Sequence, residues 1–171
     1  MSTISKVRHV ASKRLHVIKK VNPRTPEAKK KLQRELEVSF QMQHENVIRF
    51  IAWERRGEES WILMEYVDGP SLAQLLRRVA LKGLAGLPLP YALHIGLRIC
   101  EGLHYAHTGT AADGAPLRFI HRDISPQNVM VAFEGEVAVE RAPQALARDR
   151  QHVALGLAVG ARADRDDAVA Q

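Results

Sequence analysis

An α+β fold is predicted, with a small, mostly-β first part carrying one amphipathic helix and a more helical second part. Three observations predict it. Leu15, Val17, Lys19 and Val21 alternate with His16, Ile18 and Lys20, the period of two of a strand. Leu32, Leu36 and Phe40 recur every four residues along a lysine-rich segment, the stripe of a helix packed on one side. Residues 91–107 are largely apolar, with His94, Arg98, Glu101 and His104 at helical spacing.

Taken in order, residues 4–10 and 14–21 read as two strands joined by Ala11-Ser12-Lys13. Asn22-Pro23-Arg24-Thr25-Pro26 breaks the second, and Thr25 followed by Pro26 opens a helix that runs to about Gln43. Val47–Trp53 and Trp61–Tyr66 form a strand pair across the polar turn 55–60. Asp68-Gly69-Pro70-Ser71 starts a short helix, Leu72–Val79, and a Gly/Pro-rich connector follows from Gly83 to Pro90. The helix 91–107 has so narrow a polar stripe that deep burial is expected, with Cys100 as a small core residue. After the surface-like loop 108–116, the segments 119–120, 129–133 and 137–139 are short strand candidates, with Glu134-Gly135 as a turn.

The totals narrow the class. With 46% hydrophobic and 26% charged residues, bulk disorder is excluded. The single cysteine rules out an internal disulfide framework and fits a cytoplasmic location. No stretch approaches the ~20 apolar residues of a membrane span, and no apolar segment follows Lys6, Arg8 and His9 to make a signal peptide. The net charge of +6 is uneven: residues 1–56 hold 14 Lys/Arg against 5 Glu. Lys29, Lys30 and Lys31 lack interleaved aromatic residues for base stacking, so they read as a solvated helix face and no nucleic-acid partner is expected.

The most informative stretch is His121-Arg122-Asp123-Ile124-Ser125-Pro126-Gln127-Asn128. It resembles the catalytic loop of protein kinases, H-R-D-x-x-x-x-N. Other signals stand in the matching order. Leu15–Val21 resembles the strand carrying V-A-I-K, Arg34-Glu35 the R-E pair of the regulatory helix, His44-Glu45-Asn46-Val47-Ile48 the H-P-N-I-V turn, and residues 62–69 the hinge. Together they make residues 1–139 similar to the first half of a bacterial-type serine/threonine protein kinase. The implied fold is a partial two-lobed one. Residues 1–67 would be an N-lobe without its Gly-rich loop, 68–139 the first half of a helical C-lobe, and 140–171 a divergent Ala/Arg-rich tail.

The resemblance implies ATP and Mg2+ as cofactors and a protein hydroxyl as substrate. Asp123 would be the base, Asn128 a magnesium ligand, and Arg122 the reader of a phosphorylated segment. Lys19 would meet the ATP phosphates and pair with Glu35, with Lys20 and Glu37 as the rival lysine and acid. Val17 would roof the adenine where the family usually has Ala. Met64 would be the gatekeeper, the backbones of Glu65 and Val67 would bond adenine, and Met130 would be the floor. Ser125 departs from the family's usual Lys. The Arg before Asp123 argues against small-molecule kinases.

Two parts of the pattern are missing. The Gly-rich loop should precede Met1, and after Val137-Ala138-Val139 the expected Asp-Phe-Gly is replaced by Arg141-Ala142-Pro143. Neither Glu140 nor Asp149 is followed by Phe-Gly, so neither is expected to substitute. From Ala138 on there is no Lys, Ser, Thr, Asn, Ile or aromatic residue, which suggests a truncated or frame-shifted end. Helix 91–107 would then keep apolar surface open to a partner or to aggregation. The expected function is ATP-dependent phosphoryl transfer, impaired in this chain. The alternatives are a pseudokinase-like nucleotide- or protein-binding fragment without turnover and a gene remnant.

Overall fold

The structure, a computed structural model, describes residues 2–111 and 114–140. The chain enters as strand β1 (Ser2–Arg8) and returns as β2 (Leu15–Val21). The turn between them places Lys13 at a φ of 59°, and His9 N–H donates to the Arg14 carbonyl at 2.9 Å. Thr25 caps helix α1 (Pro26–Phe40), its hydroxyl accepting the Ala28 N–H at 3.1 Å, with Pro26 in the first turn. The helix ends at Phe40, before the expected Gln43, and the next strand starts later than Val47. The residues between are used for contacts with the second half of the chain. Strands β3 (Phe50–Arg56) and β4 (Glu59–Glu65) turn tightly through Gly57, whose φ of 60° suits glycine.

The four strands form one antiparallel sheet in the order β1-β2-β4-β3. Pairing β2 with β4 sets Val17 opposite Met64 and Lys19 opposite Ile62. The predicted stripe packs as expected: Leu32 and Leu36 are fully buried against Val21, Ile48, Phe50, Ile62 and Met64, with Phe40 at the margin. Burying each leucine contributes roughly 2 kcal/mol. Lys29 on α1 also reaches Glu58 in the β3–β4 turn.

The second part holds α2 (Leu72–Leu81), opened by a reciprocal Ser71/Gln74 cap, and α3 (Leu89–Thr108). A single 3-10 turn, Pro126–Asn128, leads into β5 (Val129–Val131), which pairs with β6 (Val137–Val139). Three expectations are corrected. Residues 119–120 are irregular, because the Phe119 N–H goes to the Ala106 carbonyl rather than to a strand. The deep burial expected of α3 from its narrow polar stripe is not seen, whereas the apolar surface expected to stay open is: Ile95, Gly102 and Ala106 are covered, and Tyr91, Leu93 and Leu97 are each more than half exposed. Cys100 lies on that open side and is exposed, not core. The expectations for Asp149, for the tail and for the Arg141–Pro143 substitution concern residues outside the described ones.

Residues 44–48 clamp the two parts together. Tyr105 on α3 stacks on His44 at 4.9 Å and its hydroxyl accepts the Gln43 N–H. A Cβ added at Gly102 would sit 2.6 Å from the Asn46 carbonyl oxygen. Gly102→Ala is therefore expected to cost about 1–3 kcal/mol by overpacking. Gly96→Ala, one face away with open space around it, should gain up to ~1 kcal/mol of helix propensity. Denaturant unfolding of both variants checks the sign reversal within one helix.

The Lys29 ammonium holds the Glu58 carboxyl below the usual carboxylate range. A lowered folded-state value gives stability that is present above the unfolded carboxylate range and lost as pH falls through the folded value. Glu58→Gln should melt slightly below the parent at neutral pH, and the gap should close on acidification.

Candidate active site

Strand alternation decides between the two lysines. Lys20 turns out over the Trp61 ring, 3.9 Å from its centroid. Lys19 points inward with Val17 and is almost fully buried. Val17, Val67 and Met130 pack at the edge of the cluster that contains Met64, so the apolar residues assigned to the adenine pocket lie around one core. Glu65 continues the sheet: its N–H donates to the Arg49 carbonyl at 3.0 Å, and its Oε1 accepts the Arg49 N–H. The Val67 carbonyl accepts the Gly69 N–H in a tight turn.

The loop 121–128 is held by its own side chains. Arg122 is exposed, with a φ of 57°, a left-handed conformation that a non-glycine residue adopts at a local cost. That bend returns the chain so that His121 Nδ1 accepts the Asp123 N–H at 3.3 Å. The proton on this ring then sits on Nε2, which donates to the Glu140 carbonyl at 2.8 Å. Asn128 is fully buried. Its Nδ2 donates to the Asp123 carbonyl at 2.7 Å and to Asp123 Oδ2 at 3.1 Å. Asp123 itself is half-buried.

The partner of Lys19 differs from the sequence expectation. Lys19 Nζ donates to Glu140 Oε1 at 2.6 Å, and the two side chains are 3% and 13% exposed. Glu35 lies instead with its Oε1 3.9 Å from Lys31 Nζ on the same helix. On sequence alone Glu140 was weighed only as a substitute for the missing Asp-Phe-Gly acid and not as the partner of Lys19. Its signal was positional: an acid directly after β6, the strand that pairs with β5 just after the loop. The missing Phe-Gly hid it.

A cavity of about 980 Å³ lies beside this site rather than in it. It takes in Asn46, Arg49, Glu65, Val67, His94, Arg98 and the β5–β6 turn, but neither Lys19 nor Asp123. Among the described residues, no cluster of three His, Cys, Asp or Glu side chains could hold a metal by itself, and no helix is long and apolar enough to cross a membrane.

A two-lobed architecture with a buried strand lysine and a clamped Asp–Asn loop defines a class, and comparison with known proteins gives its name. The protein kinase domain family matches residues 1–140. This chain belongs to the protein kinase family. The kinase domain of Mycobacterium tuberculosis PknI superposes with a TM-score of 0.66 at 25% identity, covering 82% of this chain and 53% of that one. The tyrosine-protein kinase MasK of Myxococcus xanthus is 39% identical over 79 residues, 46% of this chain. A probable serine/threonine-protein kinase of Clostridium perfringens is 33% identical over 94 residues, 55% of this chain. The chain spans 12% of the length of each of these two curated relatives.

Asn128→Ala is expected to cost about 1–3 kcal/mol, since it leaves the Asp123 carbonyl without its buried donor. Asn128→Asp keeps the size but sets a second carboxylate against Asp123, and should cost more at neutral pH. Chemical denaturation of the two variants tests whether the amide donor is what holds the loop.

Proposed function

We propose that this chain carries the nucleotide site and catalytic loop of a serine/threonine protein kinase, which moves the γ-phosphoryl group of ATP to a protein hydroxyl. The observation that carries this reading is the Asn128–Asp123 clamp. The Asn128 amide donates twice to Asp123, which holds that carboxylate in one orientation for the role of base. In the reaction the hydroxyl proton passes to Asp123, the oxygen bonds to the γ-phosphorus, and the bond to the ADP oxygen breaks.

The residues fit a nucleotide. Lys19 is a buried cation for phosphate oxygens, and Val17, Met64, Val67 and Met130 form the apolar surroundings that a purine requires. The Asn128 amide oxygen would be the ligand for a magnesium ion. Magnesium, when bound, neutralises phosphate charge. Arg122, exposed beside the loop, suits a phosphorylated segment. The protein family generally uses ATP and magnesium, and serine/threonine specificity is supported by part of the relatives only.

A second reading, nucleotide or protein binding without turnover, is favoured by one feature: the sequence contains no Asp-Phe-Gly. One experiment separates the two. Calorimetry with ATP and magnesium should show binding, and a labelled-ATP assay on a generic protein substrate should show transfer. Asp123→Asn should leave binding within about twofold and lower turnover by roughly 10²–10⁴. Binding without transfer in the parent chain selects the second reading, and no binding at all overturns both nucleotide readings.

A further inference from the structure

The geometry points to Glu140 as a built-in anion that occupies the Lys19 seat and that incoming phosphate has to displace. This rests on the nucleotide reading above and adds a control element to it.

Three observations carry the inference. First, the ammonium of Lys19 already has a carboxylate at 2.6 Å, in a place where both side chains are nearly hidden from water. A buried cation so paired presents no net charge to a phosphate, and a second anion meets the repulsion of the first. Second, the backbone of Glu140 is fixed at both polar atoms. Its N–H donates to the Asn128 carbonyl at 2.6 Å, and its carbonyl accepts from His121 Nε2 at 2.8 Å. Both partners belong to the loop that holds Asp123, so the loop sets where this carboxylate stands. Third, the side chain is joined to that fixed backbone by rotatable single bonds. A change of rotamer would move the carboxylate off Lys19 without shifting that backbone.

Glu140 is therefore a gate on Lys19 that couples the seat for phosphate to the loop that holds the base. Two variants of the chain test it. Glu140→Ala removes the carboxylate. Glu140→Gln keeps a neutral acceptor for Lys19 and guards against loss of the fold, which thermal melts verify. The first readout uses no nucleotide: acylation of individual lysines by an amine-reactive ester, followed by mass spectrometry. Lys19 should react at least several-fold faster in Glu140→Ala than in the parent, while exposed Lys13 and Lys82 stay unchanged. Equal Lys19 rates in the parent and in every folded variant overturn the gate. The second readout is calorimetric titration with magnesium and ATP, where both variants should bind on the order of tenfold more tightly than the parent. Weaker or unchanged binding in the variants overturns the gate. Faster Lys19 acylation with no ATP bound by any chain leaves Glu140 as the cover of Lys19 and refutes the nucleotide reading instead.

Discussion

Three hydrogen bonds between residues 46–48 and strand β6 hold this molecule together. The Val139 N–H donates to the Asn46 carbonyl, the Ile48 N–H to the Val139 carbonyl, and the Asn46 Nδ2 to the Val137 carbonyl. They tie the four-stranded sheet to the loop-bearing half at a point where all the backbone groups are buried. An unpaired polar group there would cost about as much as any single contact in the core gains. Through this seam Ala138 enters the same cluster as Leu32, Leu36 and Ile62, so one hydrophobic core runs from α1 to β6.

The seam also positions the chemistry. β6 ends at Val139, and the next residue meets Lys19 from across the cleft. Lys19 owes its inward direction to the register of β2 against β4, in which its neighbour Lys20 turns out onto Trp61. Asp123 owes its position to Asn128 and His121, both buried and both bonded to it. The site is thus assembled from β2, the loop after α3 and the end of β6, elements that are far apart in the chain.

Much of this was legible from residues alone where the cause is local. Alternation of period two put Val17 and Lys19 on one face, the four-residue recurrence of Leu32, Leu36 and Phe40 gave α1, and Thr25-Pro26 gave its start. Each is a short-range rule of backbone geometry. The failures share a different cause. The extents of burial on α3 and at Cys100 depend on what packs beside the helix, which periodicity does not contain. The segment 119–120 had strand-like composition, but its backbone donor was claimed by Ala106.

The sequence by itself determined the kinase family and the loop His121–Asn128, because a catalytic loop is a contiguous string whose residue types are dictated by its chemistry. It also put Lys19 on the face of Val17 and Lys20 on the other, because strand alternation is obligatory, and the sheet register then turned Lys19 inward. Only the tertiary structure decided which acid meets that lysine. Glu35 and Glu140 follow Lys19 at very different distances along the chain. The choice between them is set by the seam between residues 46–48 and β6, a long-range contact with no pattern of its own in the sequence.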